Sequence, residues 1–390
     1  MKKLLVKNIG LLATPEGKSA HRGEEQGKIK FLKDAWVLIE DGVIASVGTG
    51  AVPAVEGAEV VDAEGHLVTP GLVDAHTHLI FGGWRQNELG LKLHGASYLD
   101  IQNAGGGIQS TTNATRQASE QELAAKASKA LDEMMGFGTT TVEAKSGYGL
   151  ATEHELKALE VIKDLNDHHR MDLVATFMGA HLVPAEYKSN REEYVRLVCE
   201  EMMPKVKEQG IAKFCDVFCE ADTFTVEESR QVLEAGLKYG LRPKIHADEI
   251  EAIGGSQLAG EIGAISAEHL IVCPPEGIAS MAKGGVIACL LPATSFNLGA
   301  VFAPARDMVK AGVPVAMATD FNPGSCPCLN LQFVINLGCL KYKLTPEEVL
   351  TAVTLNGAAA LNRAGSIGSI EVGKKGDFVV LNTDNYHFLP

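Results

Sequence analysis

Short apolar runs alternate with amphipathic segments through the middle of the chain. Each apolar run is bounded by polar residues or by Gly and Pro, which is typical of buried β-strands. The amphipathic segments are predicted to be helices, and two of them begin with the spacing of a capping box, at Ser119 to Glu122 and at Thr225 to Glu228. The predicted strands are Leu72–His78, Thr139–Ala144, Leu173–Met178, Ala212–Phe218, Pro243–Ala247, Ala264–Glu268, Val286–Leu291 and Val313–Thr319.

Eight strands that alternate with helices indicate one parallel sheet, because each right-handed crossover returns the chain to the end of the sheet where the previous strand began. Eight such units are the number that closes a TIM-type (β/α)8 barrel. An open doubly wound sheet is the alternative, although no G-x-G-x-x-G motif follows the first strand. We therefore expect an α/β fold with the barrel over residues 67–365.

Both ends of the chain carry a different pattern, in which short β-type runs are separated by polar turns. The runs are Leu4–Val6, Ala35–Ile39, Val43–Val47 and Val60–Val61 near the N-terminus and Phe378–Leu381 near the C-terminus. We expect residues 1–66 and 366–390 to meet in a small accessory β-sandwich. The polar segment Glu16–Lys30 is predicted to be an exposed loop between two of its strands.

Composition and charge exclude several classes of protein. A length of 390 residues accommodates one barrel with an accessory piece. The formal net charge of -14 argues against nucleic acid or an anionic membrane as partner, because both attract basic surfaces. No apolar run is long enough to span a membrane. Eight cysteines in a chain with no recognisable secretory segment are expected to be reduced, which predicts a cytoplasmic protein.

The barrel predicts that functional side chains follow the C-terminal ends of its strands. His76 and His78 end the first strand, where alternate residues point to the same side. His246 ends the fifth strand, and Asp320 follows the eighth. Together they form a His3Asp set with an open position for water, which suits zinc or iron. The alternatives are a surface pair of histidines, a histidine satisfied in the core, and an aspartate that caps a loop.

A second group of polar residues follows the strand ends. Glu249 lies three residues beyond His246, where a carboxylate can move a proton between an activated water and a departing nitrogen. Its alternative role is that of an acidic residue at a helix N-terminus. His181 and His269 are candidates to face the substrate or to support the metal.

Two further motifs are interpreted as structural. Cys326 and Cys328 lie close to Asp320 along the chain, but reduced, partly buried cysteines are commoner than thiolate ligands. Gly105–Gly107 lacks the Lys-Ser/Thr that follows a phosphate loop, and is predicted to be a mobile loop near the active site.

Five separated motifs, together with the Pro-Gly-x-x-Asp-x-His-x-His run that begins at Pro70, carry a resemblance over nearly the whole chain. They are Phe81-Gly82-Gly83-Trp84-Arg85, Ser146-Gly147-Tyr148-Gly149-Leu150, Gly179-Ala180-His181, His246-Ala247-Asp248-Glu249 and Asp320-Phe321-Asn322-Pro323-Gly324. In this order they resemble the imidazolonepropionase family of the amidohydrolase superfamily. The resemblance implies hydrolysis of 4-imidazolone-5-propanoate to N-formimidoyl-L-glutamate in histidine degradation, with zinc or iron.

The resemblance also implies a role for individual residues. The metal ligands would be His76, His78, His246 and Asp320, and the substrate contacts would be Arg85, Tyr148, His181, Glu249, Asn322, Gly324 and Ser325. The residues that we predict to be catalytic are Glu249, His269 and Asp320. The resemblance further implies a homodimer, and a strand beyond Pro390 without which the terminal sheet would be incomplete.

Arg85 distinguishes this interpretation from its alternatives. A substrate with a propionate tail needs a cationic partner, and a guanidinium group binds a carboxylate through two hydrogen bonds. Tyr148 can add a hydrogen bond to the same substrate. A cytosine-type aminohydrolase would share the metal set, but a neutral base gives Arg85 no partner. A non-catalytic metal-binding barrel is the more distant alternative, because fold alone does not prove chemistry.

Overall fold

The computed structural model of the chain describes residues 2–95 and 106–390. In chain order the strands are β1 Lys3–Thr14, β2 Lys30–Glu40, β3 Val43–Thr49, β4 Glu59–Asp62, β5 Leu67–Pro70, β6 Leu72–Asp74, β7 Thr139–Lys145, β8 Asp172–Ala180, β9 Phe214–Cys219, β10 Arg242–Ala247, β11 Ser266–His269, β12 Ile287–Leu290, β13 Val315–Met317 and β14 Phe378–Leu381.

The helices of the described residues cover the outside of the central sheet or connect its strands. They are α1 Glu88–Leu93, α2 Gly107–Gln117, α3 Glu120–Gly136, α4 Thr152–His168, α5 Arg191–Leu197, α6 Met203–Gln209, α7 Val226–Lys238, α8 Gly255–Ile262, α9 Pro275–Gly284, α10 Pro292–Leu298, α11 Ala305–Lys310, α12 Leu331–Leu340, α13 Pro346–Ala352 and α14 Leu355–Ala360. None of these described helices has the length and hydropathy that a membrane crossing requires.

The eight strands β6 to β13 pair in sequence order, and every pair is parallel. The two ends of this sheet meet just beyond β6 and β13, where Thr77 bridges Phe321. The His78 N–H donates to the Phe321 carbonyl at 2.9 Å, and the Asp320 N–H donates to the His76 carbonyl at 3.1 Å. The predicted TIM-type barrel is therefore confirmed, and its closure lies next to the candidate metal ligands.

The first barrel strand is shorter than its apolar pattern predicts. It ends at Asp74 instead of His78, because the chain then turns to the segment that follows β13. The buried Asp74 carboxylate accepts hydrogen bonds from the Thr319 N–H at 3.0 Å and from the Thr319 hydroxyl at 2.6 Å. His76 and His78 therefore lie on an extended segment that closes the barrel, and not within a regular strand.

Both predicted capping boxes are present. Ser119 caps α3 and Thr225 caps α7, and in each case the glutamate three residues later returns a hydrogen bond to the capping residue. One face of α3 is buried against the barrel at the spacing expected for an amphipathic helix. The buried residues on that face are Leu123, Ala127, Ala130, Leu131 and Met134.

The two chain ends form one accessory sheet with the strand order β14-β5-β1-β2-β3. Strand β5 pairs with the second half of β1, at Leu11 and Leu12, and β4 pairs with its first half, from Leu4 to Lys7. Strand β14 runs antiparallel to β5, which confirms that both ends contribute. Its apolar side is a separate small core that includes Val6, Val37 and Ile44. Strand β5 was not predicted, because its residues merge with the apolar run of the first barrel strand.

The prediction that Glu16–Lys30 is an exposed loop is wrong at Gln26, which lies in a short 3-10 helix over Gly23–Gly27. Gln26 is fully buried, and its side-chain amide pairs with Val315 of β13. Gln26 Nε2 donates to the Val315 carbonyl and Gln26 Oε1 accepts from the Val315 N–H, both at 3.0 Å. A primary amide has the same donor and acceptor as a backbone peptide, so Gln26 extends the hydrogen bonding of β13.

The predicted glycine loop falls at a gap in the described residues. Residue 105 lies outside them, whereas Gly107 is already the first residue of α2. The prediction of a loop at Gly107 is therefore wrong. Its φ of 72° is one that glycine adopts without strain.

Candidate metal centre

Four of the predicted site residues bring their ligand atoms together at the C-terminal end of the barrel. His78 Nε2 lies 3.3 Å from His246 Nε2. Asp320 Oδ1 lies 3.4 Å from His76 Nε2 and 3.6 Å from His78 Nε2. All four side chains are buried, at 4% exposure or less. The chain therefore brings together residues that are up to two hundred and forty-four positions apart in the sequence.

Two of the atoms that face the centre lack the partners that buried polar atoms normally have. His76 Nε2 and Asp320 Oδ1 make no hydrogen bond to any described residue. Ligands held about 2.0–2.1 Å from a tetrahedral zinc ion are about 3.3 Å from one another, which is close to the spacing found here. The donor set therefore fits one divalent transition metal.

Two other groups of potential ligands include His76. The atoms of His76, His269 and Asp320 approach one another within 4.8 Å, so His269 borders the same centre. His76, Glu268 and Cys289 form a second group on the other side of the imidazole ring. In that group Glu268 is 3.5 Å from the Lys244 ammonium, whose positive charge disfavours a second cation.

The protonation of the histidines suits metal binding. Burial lowers the pKa of His76 and His78 well below the ordinary value, and the nearby Lys145 adds to the effect on both. A neutral imidazole is the form that binds a metal. Burial raises the pKa of Asp320 to about 6, although a hydrogen bond from the Thr294 hydroxyl at 2.6 Å acts in the opposite direction.

Glu249 contacts His269, which borders the centre. Its Oε2 is 3.5 Å from His269 Nε2. Burial, followed by the charges of Asp320 and Glu220, raises the pKa of Glu249 to about 8. Because this value is near neutrality, both protonation states are accessible to a group that receives a proton and then donates it.

The loop that carries Glu249 is held by Glu220, a buried residue that follows β9. Glu220 Oε2 accepts from the backbone N–H groups of Glu249 at 3.1 Å and Ile250 at 2.9 Å. Glu220 Oε1 accepts from the Glu251 N–H at 3.0 Å. A carboxylate at the end of a barrel strand was the signal for this residue, but the sequence interpretation passed over it.

His181 and Tyr148 form an aromatic wall on the His78 side. The His181 ring stacks on the His78 ring, with centroids 4.9 Å apart and planes 17° apart, and the Tyr148 centroid is 5.1 Å from His181. The His181 Nδ1 lies 2.9 Å from the Gly147 carbonyl. A carbonyl only accepts, so Nδ1 carries the hydrogen and Nε2 keeps its lone pair. Burial, with the neighbouring His246, lowers the pKa of His181 to about 3.

Arg85 is tied to the loop after β13. Its backbone N–H donates to the Pro323 carbonyl at 2.9 Å. Its guanidinium group lies directly over Gly324, where an added Cβ would be only 1.6 Å from Arg85 Nη2. Arg85 and Gly324, which are predicted to contact substrate, are therefore brought together, and Gly324 leaves the space that the guanidinium group occupies.

Asn322 does not present its amide to the site. Its Oδ1 accepts from the N–H groups of Gly324 at 2.9 Å and Ser325 at 2.8 Å, and its Nδ2 donates to the Asp320 carbonyl at 2.8 Å and the Ser325 hydroxyl at 2.8 Å. These contacts fix the loop that carries Asp320 and Gly324. Asn322 and Ser325 therefore stabilise each other, and the predicted direct contact of Asn322 with substrate would require it to break them.

Neither cysteine of the Cys-x-Cys pair belongs to a group of potential metal ligands among the described residues. Cys326 is buried and its thiol donates to the Thr319 carbonyl at 3.2 Å. The Cys328 thiol donates to the Asn330 carbonyl at 3.7 Å. All eight cysteines of the chain lie in its described part, and all are free thiols.

Charged residues inside the barrel were not assigned a role from the sequence. They lie within the barrel strands β7, β9, β10 and β11, and a charged residue inside a predicted strand is their signal, because charged side chains are rarely fully buried. They are Glu143, Lys145, Asp216, Lys244 and Glu268, and each is fully buried.

Comparison with known proteins identifies relatives over the full length. The sequence profile of the amidohydrolase family matches residues 67–389. A protein of Alkaliphilus metalliredigens named imidazolonepropionase is 53% identical, over 100% of this chain and 94% of its own length. Proteins of the same name from a Geobacillus species and from Bacteroides fragilis are 51% and 49% identical, over 99% and 97% of this chain and 93% and 92% of their own lengths.

Solved structures share the fold at much lower identity. A triazine hydrolase variant matches 97% of this chain and 86% of its own, with a TM-score of 0.73 and 19% identity. The guanine deaminase of C. acetobutylicum, solved with bound guanine, matches 97% of this chain and 90% of its own, with a TM-score of 0.69 and 19% identity. An atrazine chlorohydrolase of Arthrobacter aurescens, solved in complex with zinc and atraton, has a TM-score of 0.73 and 17% identity over 96% and 86% of the two chains.

Proposed function

The chain belongs to the amidohydrolase family and, within it, to the imidazolonepropionases, and from this premise we propose how its residues hydrolyse their substrate. The enzyme is a metal-dependent hydrolase that opens the ring amide of 4-imidazolone-5-propanoate to give N-formimidoyl-L-glutamate. The observation that carries the proposed mechanism is the convergence of His76, His78, His246 and Asp320, with Arg85 and Glu249 nearby.

We assign the metal to the three Nε2 atoms of the histidines and to Asp320 Oδ1, because these atoms point at one another and two of them have no other partner among the described residues. A divalent metal bound there supplies a Lewis acid for the ring carbonyl and lowers the pKa of a coordinated water. Asp320 accepts a hydrogen bond through Oδ2 from Thr294, so its Oδ1 stays directed at the centre.

Arg85 binds the propionate tail of the substrate in this proposal. Its guanidinium group lies over Gly324, beside the loop that supplies Asp320, so a carboxylate bound there would hold the ring over the metal ligands. Two parallel hydrogen bonds fix the direction as well as the position of the tail. Tyr148, in the wall next to His181, is proposed to donate a hydrogen bond to the same substrate.

Glu249 moves the proton. In its ionised form it accepts a proton from the attacking water, and in its protonated form it donates that proton to the departing ring nitrogen. A pKa near 8 allows both steps at neutral pH. His269 lies within 3.5 Å of Glu249 and is proposed to orient it. The Nε2 lone pair of His181 is suited to accept a hydrogen bond from a ring N–H of the substrate.

The proposed roles are tested by following the loss of imidazolone absorbance in purified protein, with and without chelator. Chelation should abolish turnover, and added zinc or iron should restore it.

Glu249→Gln should lower kcat by at least about a hundredfold while zinc still binds. Arg85→Ala should raise KM sharply for the propionate-bearing substrate. Unchanged kinetics in either variant would remove that residue from the mechanism.

Three finer assignments belong to the same proposal. The metal is zinc or iron, since His3Asp ligation suits both. The protein works in the cytoplasm, which is supported by eight free thiols. It acts as a homodimer on a small molecule, with no nucleic acid or membrane partner, in keeping with its acidic net charge of -14. Metal analysis and the sedimentation of the native protein test the first and the last.

A further inference from the structure

A chain of buried charges crosses the barrel interior and reaches two of the proposed ligands from behind. At one end, Glu268 Oε2 lies 2.9 Å from His76 Nδ1. At the other end, Asp216 Oδ1 lies 3.1 Å from His246 Nδ1. Each carboxylate therefore contacts the ring nitrogen that is directed away from the metal centre.

Two lysines and a glutamate connect these ends. Lys244 Nζ is 3.5 Å from Glu268 Oε1 and 2.7 Å from Glu143 Oε1. Lys145 Nζ is 2.8 Å from Glu143 Oε2 and 2.7 Å from Asp216 Oδ2. We call these five residues the ion-pair chain. Every side chain in the ion-pair chain is fully buried, so a substrate that enters from solvent does not contact any of them.

Stability alone does not account for the ion-pair chain. The interior of a (β/α)8 barrel is normally filled by branched apolar side chains. Moving charges out of water is costly, and well-packed apolar residues of the same volume are often as stabilising or more so. The ion-pair chain has three carboxylates and two ammonium groups, and its two terminal carboxylates contact His76 and His246.

We propose that the ion-pair chain positions His76 and His246 for the metal. Glu268 and Asp216 accept the Nδ1–H of each imidazole, which fixes the tautomer with a free lone pair on Nε2. Lys244, Glu143 and Lys145 hold these two carboxylates in place, so that the two rings are oriented together. The five residues are positioning residues, because they act through the histidines.

The decisive variant is Glu143→Gln, because Glu143 contacts both lysines and neither histidine. With Glu143 neutral, each lysine keeps only one carboxylate partner, and we expect both remaining carboxylates to shift relative to the rings. Zinc affinity of the metal-free protein, measured by competition with a chromophoric chelator, should fall by about tenfold or more. Glu268→Gln and Asp216→Asn, which alter the direct contacts, should each weaken zinc binding by about 10-fold to 100-fold.

The control is Glu348→Gln, which neutralises another poorly exposed carboxylate, one paired with Arg306 and not with the ion-pair chain. It should bind zinc as tightly as the wild type. Because Glu143→Gln removes one negative charge from the ion-pair chain, the charge-balanced variant Glu143→Gln/Lys244→Met, which also removes one positive charge, is measured in parallel. It should show the same loss of zinc affinity.

A second measurement needs no substitution. The metal-free wild-type protein is labelled with 15N at histidine and studied by NMR. The 15N chemical shifts of the ring nitrogens of His76 and His246 should be those of the tautomer protonated at Nδ1. Protonation at Nε2 in either residue would overturn the proposal. Wild-type zinc affinity in a folded Glu143→Gln or in the charge-balanced variant would overturn it equally.

The inference rests on the proposed metal centre, and the two can fail separately. If the wild type itself binds no zinc, the proposed centre is wrong. If the wild type binds zinc and the variants of the ion-pair chain bind it equally well, the centre stands and only the positioning role is lost.

Discussion

At the scale of single residues, the sequence predicted which side chains converge but not how each of them is oriented. His76, His78, His246 and Asp320 were recognisable because polar residues at the ends of apolar strands are conspicuous. The family resemblance also implies that Asn322 contacts substrate. Its amide is used within its own loop, because hydrogen bonds between neighbouring residues compete with any ligand.

Gly324→Ala should mimic the loss of Arg85 without removing its charge. A Cβ at this position would lie 1.6 Å from Arg85 Nη2, so the guanidinium group must move away from the proposed carboxylate site. We expect KM for the imidazolone to rise by about tenfold or more, with a smaller effect on kcat. Gly365→Ala is the matched control, because no atom lies within 4 Å of its added Cβ. Equal KM values for the two variants and the wild type would contradict the placement of Arg85.

At the scale of elements, the sequence predicts most strands and the starts of two helices, but not the pairing of an element with a segment that is distant along the chain. All eight barrel strands and both capping boxes agree with local patterns of apolar and polar residues. Strand β5 and the early end of β6 depend on pairing with distant segments, which a local pattern does not contain. Gln26 is the same kind of case, since its partner Val315 is distant in sequence.

Gln26→Met should destabilise the protein although it removes no apolar contact. The Val315 N–H would lose its partner in a buried position, whereas the Val315 carbonyl keeps a hydrogen bond from Asn356 at 2.9 Å. We expect the free energy of unfolding in urea to fall by about 1–3 kcal/mol. Gln332→Met, which removes one exposed hydrogen bond to the Phe137 carbonyl, should have little effect. A loss no greater than that of the control would show that Gln26 does not support β13.

At the scale of the whole molecule, the predicted barrel with terminal β-structure is confirmed, while the division at residues 66 and 365 stays a prediction. Alternating strands and helices are strong signals because each unit repeats the same pattern. The charged residues inside the barrel could not be recognised as a set from the sequence, because only the closed fold brings those of four strands into one chain of contacts. The same closure buries several histidines in neutral form.

The metal-free protein should lose stability as the pH falls below about 6.5. His181 binds a proton at its ordinary value of 6.5 when unfolded, but burial lowers its folded pKa to about 3. Between these values the unfolded state binds more protons, so acid favours unfolding. The slope of the free energy of unfolding against pH should therefore be smaller in His181→Gln, by about 1.4 kcal/mol per pH unit between these two pKa values. An unchanged slope in His181→Gln would contradict the prediction, because it would mean that His181 is protonated in the folded state.

The most direct test of the account is anomalous diffraction at the zinc edge from crystals of the zinc-loaded protein. We predict one strong peak within about 2.0–2.1 Å of the Nε2 atoms of the three histidines and of Asp320 Oδ1. The three histidines are His76, His78 and His246. A peak at another position, or a zinc ion that leaves His246 or Asp320 uncoordinated, would contradict the proposed centre and the mechanism built on it.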